Sequence, residues 1–135
     1  MTGTAISAEQ RAFLETTLRS FEKLELLHAV RTSGRAVSRA ELAVASRLDA
    51  TVVAAMLVEL EQATLVELDS RSELVTLGVL ARDHVCESLL ALYQADRTVV
   101  LSTLSSIAVK RIRSMTARAF ADAFVLRKKR GDQDG

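Results

Sequence analysis

The stretch SRAELAVASRLDATVVAAMLVELEQATLVEL, residues 38–68, constrains the fold more tightly than any other part of the chain. Ser38 and Glu41 stand three apart ahead of an apolar run, the spacing of a capping box. In that arrangement a hydroxyl and a carboxylate satisfy free backbone N–H groups where a helix starts. A short helix follows, with Leu42 and Ala43 expected to face inward. Asp49 is the next cap, and its carboxylate favours a helix over residues 50–62. Val52, Met56 and Leu60 recur four apart and predict one buried stripe on it. Leu65, Val66 and Leu68 then form a short β-prone run, Asp69, Ser70, Arg71 and Ser72 a polar turn, and Leu74, Val75 and Leu77 a second run. A small hairpin is the expected result.

The flanks read as helices. Ser7 and Gln10 make another capping box, and Phe13, Leu14, Leu18, Phe21, Leu24, Leu27 and Val30 recur at helical spacing. One helix, or two with a bend, is expected to about residue 32, stopped by Thr32, Ser33 and Gly34. Gly78 separates the hairpin from a helix over about 79–94 carrying Val79, Leu80, Val85, Leu89, Leu90 and Tyr93. A last helical region starts near Asp96 or Thr98 and runs to about 128. Its Leu101, Ala108, Ile112, Met115, Ala119 and Leu126 fit a heptad-like stripe interrupted by Asp122, with Phe120 and Phe124 on a neighbouring face. The alternative is a hairpin of two shorter helices broken around Ser114. Proline is absent and glycine occurs five times, which suits packed helices joined by short connections.

The order helix, helix, helix, hairpin resembles the winged helix-turn-helix domains of small bacterial regulators of the MarR and ArsR types. The similarity is densest at residues 38–68: a helix ending before Leu48, the Thr51-Val52 pair, Met56 at a Leu-like position, Leu60-Glu61, and Leu65-Val66. With the first helix and hairpin it covers residues 22–77. The resemblance implies a mainly α fold, a winged helix with a small β-hairpin and additional N- and C-terminal helices. The corresponding domains are 7–95, winged helix with flanking helices, and 96–130, a helical and basic extension. It also implies that residues 50–62 occupy the position of a DNA-recognition helix, with Asp69 to Ser72 at the wing tip.

The residues on that helix fit the implied occupation poorly. A groove-reading helix offers Arg, Lys, Asn, Gln, Ser or Thr to base edges. Here Thr51 is the sole obvious reader, and no Lys or Arg lies between Arg47 and Arg71. Phosphate attraction supplies much of protein–DNA affinity, and carboxylates oppose it. Val53, Leu57 and Val58 beside Glu59 and Glu61 instead make a candidate protein-binding patch, apolar at its centre and charged around it. Packing against the chain's own terminal helices explains the same residues equally well.

Charge is unevenly divided. Residues 1–96 hold nine Lys or Arg against fourteen Asp or Glu, whereas residues 97–135 hold nine against three. Lys110, Arg111, Arg113, Arg118 and the run Arg127, Lys128, Lys129 and Arg130 can meet phosphates without specifying sequence. A solvated face complementing a helix C-terminus accounts for them too. The long last helix carries more apolar surface than one small domain covers, so a homodimer is expected.

No catalytic constellation, phosphate-binding glycine loop or metalloprotease motif occurs, and neither an enzyme nor a cofactor is expected. His28 and His84 lie in separate segments with no second local ligand, and Cys86 sits in an apolar helical pattern that favours burial. No apolar run reaches membrane-spanning length, so no transmembrane insertion is expected, and a cytoplasmic location is the simplest reading. The expected function is that of a small regulatory protein acting through protein–protein interaction with an unknown partner and through homodimerisation. The alternative is an atypical dimeric regulator of transcription that binds duplex DNA through Arg47, Thr51, Arg71 and the C-terminal bases.

Overall fold

The computed structural model describes the backbone of residues 6–134 and the side chains of residues 6–124. Helices dominate, joined by one two-stranded antiparallel hairpin. The described residues fall into two compact units that meet in sequence at Leu104 and Ser105.

In the first unit, α1 (Ala8–Phe13) opens on the Ser7–Gln10 capping box and passes into a π-helical turn over Leu14–Leu18. The turn buries Leu14 and Leu18 completely, and the Arg19 N–H reaches back to the Leu14 carbonyl at 2.8 Å. Arg19 then takes φ 64°, which breaks the helix. Of the two expected forms, the chain adopts the broken one. Ser20 caps α2 (Phe21–Ser33), and Gly34, at φ 66°, ends it. The left-handed conformation there comes at no steric cost to glycine.

The Ser38–Glu41 capping box opens α3 (Arg39–Ser46), and Arg47 closes it at φ 59°. Asp49 caps α4 (Ala50–Gln62), its Oδ2 accepting the Thr51 N–H at 3.1 Å. The hairpin pairs β1 (Val66–Leu68) with β2 (Val75–Leu77) in the register Val66↔Leu77 and Leu68↔Val75. Val37 adds a short bridge to Val75, with bonds of 3.0 and 2.7 Å. The turn folds around Asp69, whose Oδ1 accepts the Arg71 and Ser72 N–H groups, and Glu73 completes it at φ 59°.

Gly78 follows β2 where no side chain fits. A Cβ there would lie 2.4 Å from the Thr64 carbonyl oxygen, the same oxygen that accepts the Leu80 N–H at 3.0 Å. A single 3-10 turn, Leu80–Arg82, precedes α5 (His84–Ala95), so this helix begins later than the apolar pattern predicts.

The core of the first unit draws on α2, α4, α5, the hairpin and the π turn, with Leu42 of α3 and Val100 and Leu104 of the last helix adding to it. On α4 the buried residues are Val53, Leu57 and Leu60, while Val52 and Met56 are half-buried. The predicted stripe of Val52, Met56 and Leu60 is thus corrected. A strict four-residue repeat drifts by about 40° per step around a helix of 3.6 residues per turn. Alternating steps of four and three, as from Val53 to Leu57 to Leu60, stay on one side. Lys23 of α2 pairs with Glu59 of α4 at 2.8 Å beside this contact.

The last helix, α6, spans Arg97–Asp134 without interruption. The break considered at Ser114 does not occur, and no proline or glycine lies between Arg97 and Arg130 to cause one. Val100 and Leu104, in the first unit, are buried. In the second unit, every described side chain after Ile107 is exposed except Arg111, which is half-buried.

Candidate functional site

Three regions contain the residues singled out by sequence. The first is the surface of α4 with its flanking turns. Arg47 is exposed at the left-handed junction between α3 and α4, Thr51 is exposed in the first turn of α4, and Arg71 is exposed in the hairpin turn. Backbone N–H groups of Arg71 and Ser72 hold the Asp69 carboxyl below the usual carboxylate range.

The proposed apolar patch on α4 does not form as expected. Val53 and Leu57 are each only 1% exposed, so they serve the core and offer nothing to a partner. Of the five residues in that group, Val58, Glu59 and Glu61 remain on the surface, Val58 at 51% exposure. Glu59 is already engaged by Lys23. Glu61 and Glu67 line a shallow cleft of about 360 Å³ with Thr64 and Val79, between the end of α4 and the hairpin. Two exposed carboxylates without a basic neighbour on α4 make this face repel phosphate.

The second region went unnoticed in the sequence. Glu25, near the middle of α2, is buried, and its Oε1 accepts bonds from the Tyr93 hydroxyl of α5 and the Arg97 guanidinium. Arg97 also stands 5.1 Å from the centre of the Tyr93 ring and 6.0 Å from that of Phe21, within cation–π range. The first residue of α6 is thereby fastened to α2 and α5. Burial and the Glu25 hydrogen bond push the Tyr93 phenol above its ordinary range. The available signal was a carboxylate inside the apolar run LELL at residues 24–27, since a buried charge requires a partner.

His28 packs edge-on to Tyr93, with ring centres 5.1 Å apart, and its Nδ1 is a buried atom without a hydrogen-bond partner among the described residues. Burial lowers its pKa from the ordinary 6.5. A histidine whose folded pKa is depressed binds a proton more readily when unfolded, so stability drops as pH falls through the unfolded value and levels off below the folded one. The urea midpoint is expected to decline as pH falls through the ordinary histidine value of 6.5, and His28→Gln is expected to flatten that decline. An unchanged slope in the variant would exclude His28 as its source.

Cys86 is fully buried, and desolvation pushes its thiol up to about 12, which leaves it protonated and unreactive. His84 is exposed, and no group of three metal-ligating side chains forms among the described residues.

The third region is the exposed part of α6. Ile112 is 62% exposed, Met115 64%, Phe120 74% and Phe124 63%. At 3.6 residues per turn these residues, with Val109 and Ala119, occupy one broad side of the helix, and Lys110, Arg111 and Arg118 fall on the other. Lys110, Arg113 and Arg118 are exposed. The side chains of Arg127, Lys128, Lys129 and Arg130 lie outside the described residues. Among the described residues no helix is long and apolar enough to cross a membrane.

No protein-family profile matches the chain, and no curated protein matches it. A solved structure from Pseudomonas aeruginosa PA01, described as a "putative transcriptional regulator protein", is similar over 84% of this chain and 76% of its own. The two share 24% sequence identity, with a TM-score of 0.47.

Proposed function

We propose that residues 7–95 form a winged-helix domain with flanking helices, that residues 96–130 form its basic helical extension, and that the chain is a regulatory protein acting through protein–protein contact as a homodimer. The observation that carries this reading is the apolar side of α6, where Ile112, Met115, Phe120 and Phe124 stand more than half exposed. An exposed apolar side of this kind, interrupted by Arg113 at the angle between Phe120 and Phe124 and by Thr116, suits a place that another protein covers. Beyond Ile107 the described side chains of α6 are exposed apart from Arg111, and a helical segment without tertiary packing is only marginally stable in water, which a partner would remedy.

The succession α2, α3, α4 and hairpin supports the winged-helix part. Contact through Val53 and Leu57 is withdrawn, because both lie in the core. Sedimentation equilibrium over a wide range of concentrations tests the proposal. A mass of two chains is the expected result, and a single-chain mass throughout would reject it.

Duplex DNA binding is a second reading, favoured by the exposure of Arg47, Thr51 and Arg71 at the α3–α4 junction, the start of α4 and the hairpin turn. If it holds, affinity falls with salt at a logarithmic slope of about 0.9 per phosphate contacted. Arg47→Ala and Arg71→Ala are then each expected to reduce that slope by about 1. Absence of binding at low salt across a broad pool of sequences would discard it.

A further inference from the structure

We infer that the cleft between α2 and α3 is a binding site for a small uncharged molecule carrying a primary carboxamide, held by Glu25 and His28. The cleft measures about 360 Å³, within the range of roughly 300–1,000 Å³ that small-molecule sites occupy. It stands independently of the protein–protein reading above.

One wall of the cleft is a single face of α2, where Glu25, His28, Ala29 and Thr32 follow one another at helical spacing. The Glu25 side chain is only 9% exposed, and its Oε1 takes bonds from both the Tyr93 hydroxyl and the Arg97 guanidinium. Its Oε2 has no hydrogen-bond partner among the described residues and is not sealed from its surroundings. Polar groups placed so deeply are as a rule hydrogen-bonded, so this oxygen is an acceptor open to a donor from outside the chain.

His28 supplies the complementary group. Its Nδ1 is enclosed without a partner among the described residues, whereas Nε2 is equally unpartnered but not enclosed. An enclosed N–H without an acceptor is rarer in folded proteins than an enclosed lone pair without a donor, so the proton of the neutral ring belongs on Nε2. Burial, which lowers the His28 pKa, favours that neutral ring. The acceptor Oε2 and the donor Nε2–H thus sit on residues three apart on one helix face, about 5–6 Å between Cβ atoms. A primary carboxamide presents an N–H and a carbonyl side by side and meets both at once.

The charges around the cleft are already matched. Glu25 is paired with Arg97, and Glu41, which also lines the cleft, is paired with Arg35 at 2.5 Å. An anion is repelled by the Glu25 carboxylate, and a cation finds that carboxylate already offset by Arg97. The Thr32 and Ser33 hydroxyls donate to the His28 and Val30 carbonyls at 2.8 and 2.7 Å, which leaves Glu25 and His28 as the groups that orient a ligand. Opposite them, Val37, Leu42 and Ala45 provide an apolar wall for the body of the molecule.

The probe is benzamide, titrated into the full-length protein and followed by backbone amide chemical shifts. Saturable changes, largest over residues 25–33 and 41–45, are expected with a dissociation constant on the order of 1 mM or tighter. Benzoate and benzamidine have the same shape but opposite charges, and each is expected to bind about tenfold more weakly or worse, the equivalent of one hydrogen bond. His28→Phe keeps a ring and removes the donor, with a loss of about tenfold expected. Ala29→Leu fills the cleft and is expected to abolish saturation, with circular dichroism confirming that both variants are folded. Changes that do not saturate in the unmodified protein, or unaltered affinity in folded Ala29→Leu, would overturn the site. Unaltered affinity in folded His28→Phe would overturn the pairing of donor and acceptor. Benzoate or benzamidine binding as tightly as benzamide would overturn the choice of an uncharged carboxamide, and that comparison uses the unmodified protein, so it decides the matter even where a variant fails to fold.

Discussion

Replacing Leu57 with alanine is expected to lower the unfolding free energy by about 2–5 kcal/mol, as large-to-small changes in closed cores do. The residue is 1% exposed on α4, beside the equally buried Val53 and Leu60. The cost has two parts: apolar surface no longer removed from water, and a cavity that the surrounding core closes only in part. A small domain has only about 5–15 kcal/mol in total, so the variant loses a large fraction of its reserve. Urea denaturation followed by circular dichroism measures the loss directly. Val58→Ser, one residue along the same helix, provides the control. With its side chain half in solvent, it is expected to change stability by about 0.5 kcal/mol or less. Similar midpoints for the two variants would contradict the burial assigned to α4.

Substituting Ile112, Met115, Phe120 and Phe124 together with serine is expected to abolish self-association. Each large apolar side chain contributes about 1.5–3 kcal/mol when fully buried, so even partial burial in a dimer amounts to several powers of ten in the dissociation constant. The first unit keeps its fold in this variant, because none of the four residues belongs to its core. Two measurements separate the effects. Sedimentation equilibrium is expected to report a single-chain mass, and the unfolding transition of the first unit is expected to persist. A dimer that survives all four substitutions would remove α6 as the contact surface.

Caps were readable in the sequence because they depend on two or three neighbouring residues: Ser7 with Gln10, Ser38 with Glu41, and Asp49 all occupy the positions their spacing indicated. The hairpin was readable for the same reason, since its turn is closed by the local bonds of Asp69. The buried side of α4 was not, because Val52 and Val53 are alike in chemistry and adjacent in sequence, and only tertiary packing distinguishes them. With Val53 and Leu57 turned inward, the apolar centre expected of a surface patch belongs to the core. Glu25, Tyr93 and Arg97 were missed because their partnership joins residues far apart in the chain. The apolar excess of the last helix was visible from composition and spacing alone, since a helix so regular leaves little for tertiary packing to decide.

Arg19, Arg47, Thr64 and Glu73 are held at positive φ. All four lie at connections: after the π turn, between α3 and α4, between α4 and β1, and in the hairpin turn. An L-residue in that region gives up about 1–2 kcal/mol relative to its right-handed form, a strain that glycine escapes and asparagine partly relieves. The connections therefore contain stability that the chain has left uncollected. A lineage carrying this fold can recover some of it by single changes at these junctions, leaving the α6 face and the core untouched. Such a reserve sets how many costly substitutions the chain can accumulate elsewhere before the domain fails to fold.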